Sequence, residues 1–224
     1  MDFFLFQIFP YLAIASFIGG SILRFDRDPY SWRSKSSQLL RRKQLIWGSV
    51  LFHVGILVIL AGHVVGLLTP IAVFDAIGIS HGAKQILAMT AGGIAGVFCL
   101  IGLLMLLHRR LFDPRIRATS SFADITVLVL LLAQLLLGLY TITESMKHLD
   151  GHEMVKFMEW AQHIATFRGG AHEFVTDVAF VFKAHLTLGM FILLIFPFTR
   201  LVHAFSAPVG FVFRPYQIVR KRET

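Results

Sequence analysis

Two histidines, His53 and His63, lie ten residues apart in a segment that carries no charge from Gln44 to Val73. A segment of this length and composition is typical of a membrane-spanning helix. An imidazole in hydrocarbon needs a partner, because no water is there to satisfy its nitrogens. A second apolar segment, residues 178–205, repeats the feature with His185 and His203, eighteen residues apart. Two histidines on each of two membrane helices predict two haems, each held between the helices.

The composition supports an integral membrane protein. The chain has 224 residues, of which 56% are hydrophobic and 22 are phenylalanine, and this is far more apolar than a soluble domain. Its net charge of +8 comes from basic residues that flank apolar runs, a pattern that indicates membrane topology rather than nucleic-acid binding. The single cysteine, Cys99, excludes an internal disulfide, a Cys₄ site and covalently attached haem. Any haem is therefore b-type.

Five apolar runs predict an all-α, five-span transmembrane helix bundle in one membrane domain, residues 1–224. The spans cover about residues 3–23, 45–68, 85–107, 122–142 and 178–205. The remaining segments are two cytoplasmic loops, an outer loop and a cytoplasmic tail, at 24–44, 108–121, 143–177 and 206–224, respectively. The first run is followed, not preceded, by positive charge, so we expect a retained span rather than a signal peptide.

The orientation follows from the basic residues. Sixteen of the 21 lysines and arginines fall in the first connection, the third connection and the segment from Arg200 onward. The positive-inside rule then predicts a periplasmic N-terminus and a cytoplasmic C-terminus.

With this topology the second and fifth spans are antiparallel, which predicts His63–His185 as the outer pair and His53–His203 as the inner pair. At about 1.5 Å per residue, ten residues span about 15 Å, whereas eighteen span about 27 Å on a straight helix. Helix tilt, tilted haem planes and a bend at Pro197 have to absorb the difference.

Two axial imidazoles fill both open positions on a haem iron, so we expect the haems to pass electrons and not to bind oxygen or substrate. Small residues near the histidines are expected to let a flat macrocycle approach the backbone: Gly55, Gly62, Gly66 and Gly189. Basic residues such as Arg33 or Arg109 are candidates to meet the propionates.

The other polar residues of interest have structural interpretations. His81, His148, His152, His163 and His172 are assigned to outer loops and His108 to an inner helix end. Gln134 is expected to make an interhelical hydrogen bond, and Cys99 to act as a small apolar residue.

Several segments together resemble the gamma subunit of membrane-bound respiratory nitrate reductase, a five-span dihaem cytochrome b. They are residues 51–57, Gly62-His63, Arg109-Arg110-Leu111-Phe112 with Pro114-Arg115, Ala161-Gln162 with Gly169-Gly170, His185-Leu186, and Phe196-Pro197-Phe198 to His203. The likeness covers nearly the whole chain, although the tail from Ser206 departs from the family pattern.

The resemblance implies a bacterial inner-membrane subunit that oxidises quinol near the outer haem and releases protons outside. Electrons pass inward to a cytoplasmic iron–sulfur beta subunit and then to a molybdenum alpha subunit that reduces nitrate. It also implies a quinol site at Lys84, His63 and Gly62. From the residues alone, Lys84 is only an interfacial cation at a helix start.

Other functions remain open. One is a related quinone-reactive cytochrome b of a formate dehydrogenase, a hydrogenase or a sulfite-reducing complex. Another class is a transporter whose histidines relay protons, which predicts no haem absorbance and favours broken helices or internal repeats. A purely structural anchor would leave four buried imidazoles without a purpose.

Overall fold

The computed structural model describes residues 1–32 and 40–206, and all regular secondary structure within them is helical. Five helices are long and apolar enough to cross a membrane, which confirms the predicted class. They are Phe4–Arg27, Arg42–Leu68, His81–Phe112, Phe122–Ser145 and Phe180–Phe198, called the first to fifth spans below. The predicted tail beyond Ser206, together with Arg33, lies outside the described residues.

Shorter helices connect the spans. They are the 3₁₀ turn Pro29–Ser31, the helices Ile71–Ala76, Pro114–Ala118 and His152–Ala165, and the 3₁₀ segments Ala171–Val175 and Arg200–Ser206. We call His152–Ala165 the surface helix. The end of the bundle that carries it is named the outer end, after the predicted orientation, and the opposite end the inner end.

Local chemistry sets the helix boundaries. The second span stops at Leu68 because Thr69 precedes Pro70 and is extended, with ψ of 126°. The third span begins after Ser80, whose hydroxyl accepts a hydrogen bond from the Ala83 N–H at 3.2 Å. The fourth span begins with a reciprocal capping box between Ser121 and Asp124.

The second and third spans pack closely through glycines. A Cβ placed on Gly55 would lie 2.7 Å from the Ala95 carbonyl oxygen, and one on Gly102 would clash with the Phe52 backbone. Small residues let helix backbones approach in this way. The fifth span packs mainly on the first and fourth spans.

The apolar core described for the chain lies at the outer end. It joins Phe6 of the first span, Trp160 and Ile164 of the surface helix, and Val181 and Phe182 of the fifth span. The amide of Gln162 donates to the carbonyls of Leu67 and Thr69, both at 3.1 Å, and so satisfies the end of the second span. The predicted outer loop is therefore a packed cap.

The α-helix of the fifth span ends at Ile195, whereas the predicted run continues to Phe205. Pro197 has no N–H to continue the ladder, and Thr199 is extended with ψ of 177°. The 3₁₀ segments Phe196–Phe198 and Arg200–Ser206 follow. His203 therefore does not lie on a straight continuation of the helix that carries His185.

Candidate functional site

The structure brings the four predicted histidines together as two pairs. The ring centroids of His63 and His185 are 6.2 Å apart, with the ring planes tilted by 41°. The centroids of His53 and His203 are 6.1 Å apart, with an interplanar angle of 75°. Each pair joins the second span to the segment that begins with the fifth span.

The ring spacing fits two axial ligands on one metal. A metal–imidazole bond is about 2 Å long, and a ring centre lies roughly 1.1 Å behind its nitrogen, so two axial rings stand about 6 Å apart. A haem needs only two protein ligands, because the macrocycle supplies the other four. A bare ion needs more, and residues 1–32 and 40–206 contain no group of three or more His, Cys, Asp or Glu side chains suited to one.

Three of the four imidazoles are anchored through Nδ1 to a backbone carbonyl. His53 reaches Ser49 O at 2.7 Å, His63 reaches Ile59 O at 2.8 Å, and His203 reaches Arg200 O at 2.6 Å. When Nδ1 carries the proton and donates it, Nε2 is left as the lone-pair nitrogen. Metal-ligating histidines usually make this kind of hydrogen bond through the ring nitrogen that does not bind the metal.

His185 has different surroundings. Its Nδ1 is buried without a hydrogen-bond partner, and its Nε2 lies 3.4 Å from the amide nitrogen of Gln134 in the fourth span. A Cβ on Gly138 would come within 3.0 Å of the ring, so the fourth span presses directly against His185. Gln134 thus makes the interhelical contact expected of it.

The glycines near the histidines fall into two groups. Gly62 and Gly66 have open space where a side chain would project, with nothing within 4 Å. Gly55 instead packs against the third span, beside Cys99, which is buried and only 1% exposed. A Cβ on Gly189 would lie 3.1 Å from Gln134. Of the four glycines, Gly62 and Gly66 leave room for a flat group.

Lys84 is buried at the start of the third span, with 7% of its surface exposed. Its Nζ donates to Gly66 O at 2.9 Å, lies 2.7 Å from Met158 Sδ and sits 3.8 Å above the centre of the Phe74 ring. Gly66 follows His63 by less than one helical turn. Lys84 lines a small pocket beneath the surface helix together with Phe74 and Met158, and His63 and Gly62 are not among the residues that line this pocket.

Of the two arginines considered for the propionates, Arg33 lies outside the described residues. Arg109 is buried, and its guanidinium donates to Leu40 O at 2.6 Å, which fastens the first connection to the third span. This contact is a structural one.

Sequence reasoning missed an ion cluster at the inner end. Asp124 lies 3.4 Å from Arg110 and 3.3 Å from Arg200, and all three side chains are largely buried. The available signal was a carboxylate inside an otherwise apolar span, which is costly unless it is paired. Its partners come from the third span and from the 3₁₀ segment Arg200–Ser206, and sequence spacing could not identify them.

Comparisons with known proteins find full-length relatives of this chain. The family model described as nitrate reductase gamma subunit matches residues 2–222. The respiratory nitrate reductase 1 gamma chain of Escherichia coli (strain K12) is 51% identical over 222 residues, covering 99% of this chain and 98% of that one. The nitrate reductase gamma chain of Bacillus subtilis (strain 168) is 40% identical over 218 residues, covering 97% of each.

A more distant relative is the Hdr-like menaquinol oxidoreductase cytochrome b-like subunit of Archaeoglobus fulgidus. It is 28% identical over 156 residues, covering 69% of this chain and 46% of that protein.

Proposed function

The chain belongs to the nitrate reductase gamma subunit family, and from this premise we propose that it is the quinol-oxidising cytochrome b of its complex. Membership makes it a membrane-bound electron-transfer subunit of a nitrate reductase, with other subunits of that complex as its partners. The proposal adds the cofactors, the quinol site and the direction of electron flow.

The cofactors proposed are two haem b groups. His63 and His185 would hold the outer one, and His53 and His203 the inner one. The observation that carries this assignment is the matched ring spacing of 6.2 and 6.1 Å, which suits two axial imidazoles on one metal. Bound haem b supplies one-electron transfer. The paired histidines would supply both protein ligands to each haem and would so keep other ligands away from the metal.

The proposed quinol site lies beside the outer pair. Lys84 Nζ, which donates to Gly66 O, would donate to a quinol oxygen instead, and the open side of Gly62 would take the ring. Phe74 and Met158 supply apolar walls. Since the pocket is at the outer end, protons released there leave on the periplasmic side. A relative whose name is that of a menaquinol oxidoreductase subunit supports a quinol as the substrate class.

The direction of flow rests on the distribution of charge. The inner end collects most of the arginines and lysines, so it is proposed to face the cytoplasm of a bacterium, with the chain in the inner membrane. The iron–sulfur beta subunit and the molybdenum alpha subunit are then proposed to dock on that side, next to the inner pair.

The test is a reduced-minus-oxidised optical spectrum of the purified full chain, with pyridine haemochrome quantitation. We expect two haem b per polypeptide in the native chain and one in His63→Ala. His108→Ala is the matched control, because His108 lies at an inner helix end and contacts Gln44 rather than another predicted ligand. A folded native chain without haem contradicts the proposal and favours the proton-relaying transporter.

A further inference from the structure

The segment that carries His203 is held by side chains of other spans as well as by the Thr199 N–H bond to the Phe196 carbonyl at 3.1 Å. On one side, the Arg24 guanidinium of the first span donates to the carbonyls of Pro197 and Thr199, at 2.5 and 2.7 Å. On the other side, Arg200 reaches Asp124 at the start of the fourth span, at 3.3 Å. The position of His203 therefore depends on contacts that other spans provide.

Asp124 binds two arginines at once. Its Oδ1 faces Arg200 and its Oδ2 faces Arg110 Nη1 at 3.4 Å, while Oδ2 also accepts the Ser121 N–H at 3.1 Å. The side chains of Arg110, Asp124 and Arg200 are 12%, 8% and 15% exposed, so water screens them little. Without the carboxylate, two guanidiniums would repel each other in a poorly solvated site.

Arg200 connects this cluster to the histidine. Its side chain binds Asp124, and its own carbonyl oxygen lies 2.6 Å from His203 Nδ1. The orientation of that carbonyl sets the direction of the imidazole and selects the tautomer in which Nε2 has the lone pair.

We propose that Asp124 is a positioning residue for the inner axial ligand: it anchors Arg200, and the Arg200 carbonyl orients the His203 ring. The inference rests on the proposed haem ligation by His53 and His203. Asp124 lies in the fourth span, which carries none of the four paired histidines. Its carboxylate would nevertheless control the orientation of the His203 ring relative to His53.

The test uses Asp124→Asn in the purified full chain, read by electron paramagnetic resonance of the ferric state, where the highest g value reports the relative orientation of two axial imidazoles. The signal of the inner pair is identified as the one that His53→Ala removes. We expect that signal to shift in Asp124→Asn, the signal of the outer pair to stay unchanged, and Asp124→Glu to restore the native value in part. Asparagine can still accept the Ser121 N–H, so the capping interaction is retained.

Asp113→Asn is the matched control. Asp113 is also an inner-end aspartate that caps a helix and pairs with an arginine, Arg41 at 2.6 Å, but it makes no contact with the Arg200–His203 segment. Its substitution should leave both signals unchanged. Identical inner signals in native chain and Asp124→Asn overturn the inference, as does an equal shift in Asp113→Asn.

Arg200→Lys is a second variant, which keeps the positive charge but loses the planar fork. If Asp124→Asn does not accumulate, an unchanged inner signal in Arg200→Lys overturns the inference on its own. Failure of the proposed function looks different, because the native chain would then show no low-spin haem signals at all.

Discussion

The indole Nε1 of Trp160 donates a hydrogen bond to the backbone carbonyl of Phe6 at 2.9 Å. That carbonyl would normally accept the N–H four residues later, but residue 10 is proline and has none. The first span is a π-helix over Phe4–Ile8 at this point, in which carbonyls pair with the N–H five residues later, and the surface helix supplies a side-chain donor to the Phe6 carbonyl. This hydrogen bond joins the surface helix to the first span one turn before Pro10.

Trp160→Phe should destabilise the protein by about 1–3 kcal/mol, because it removes the buried hydrogen bond from the indole to the Phe6 carbonyl. The loss would appear as a lower midpoint of thermal unfolding in detergent. Trp47→Phe is the control, since Trp47 is 63% exposed on the second span. Equal midpoints for the two variants would contradict the role assigned to this hydrogen bond.

Gly102→Ala should separate the second and third spans, because the added methyl group would meet the backbone of Phe52, next to His53. Overpacking of this kind costs about 1–3 kcal/mol. We also expect the variant to lose haem from the inner pair, measured by haemochrome content. Gly92→Ala, on the same helix with nothing within 4 Å, should retain the native content, and a loss there would refute the explanation.

Lys84→Gln should lower kcat/KM for quinol about ten- to a hundredfold, as expected when a charged hydrogen-bond donor worth about 1.5–3 kcal/mol is lost. Haem content should not change, because Lys84 does not contact the paired histidines. The measurement is quinol-dependent reduction of the complex. Lys147→Gln is the control: Lys147 lies at the same outer end but is exposed and pairs with Glu144 at 2.8 Å.

Asp113 should make stability depend on pH. Burial of its carboxyl tends to raise the pKa, but hydrogen bonds from the Ile116 N–H and from Arg41 outweigh burial and hold the pKa below the usual 3.8. A lowered pKa means that the native state binds its proton less readily than the unfolded state does. The stabilisation is therefore present at neutral pH and is lost as pH falls through the native pKa.

The measurable consequence is the difference in unfolding free energy between the native chain and Asp113→Asn. We expect this difference to be largest near neutral pH and to shrink in acid. A difference that stays constant across that range would show that the Asp113 charge does not contribute.

The sequence was sufficient for the elements that depend on local composition. Apolar runs of twenty or so residues can satisfy their backbone in lipid only as helices, so the five spans follow from hydropathy. The histidine pairs followed from topology, because His53 and His63 on one antiparallel span can meet His203 and His185 on another in only one order.

Contacts between distant residues were decided only in the tertiary structure. The length mismatch between the histidine spacings is taken up where the α-helix stops at Ile195 and 3₁₀ segments follow, and that path is held by Arg24 and Asp124 from other spans. Two other contacts also depend on which segments meet in the folded bundle. Gly55 packs against the third span, and Trp160 donates to the Phe6 carbonyl. Hydropathy and spacing are properties of a segment, whereas partner choice for a buried polar group depends on which segments the folded bundle brings within hydrogen-bonding distance.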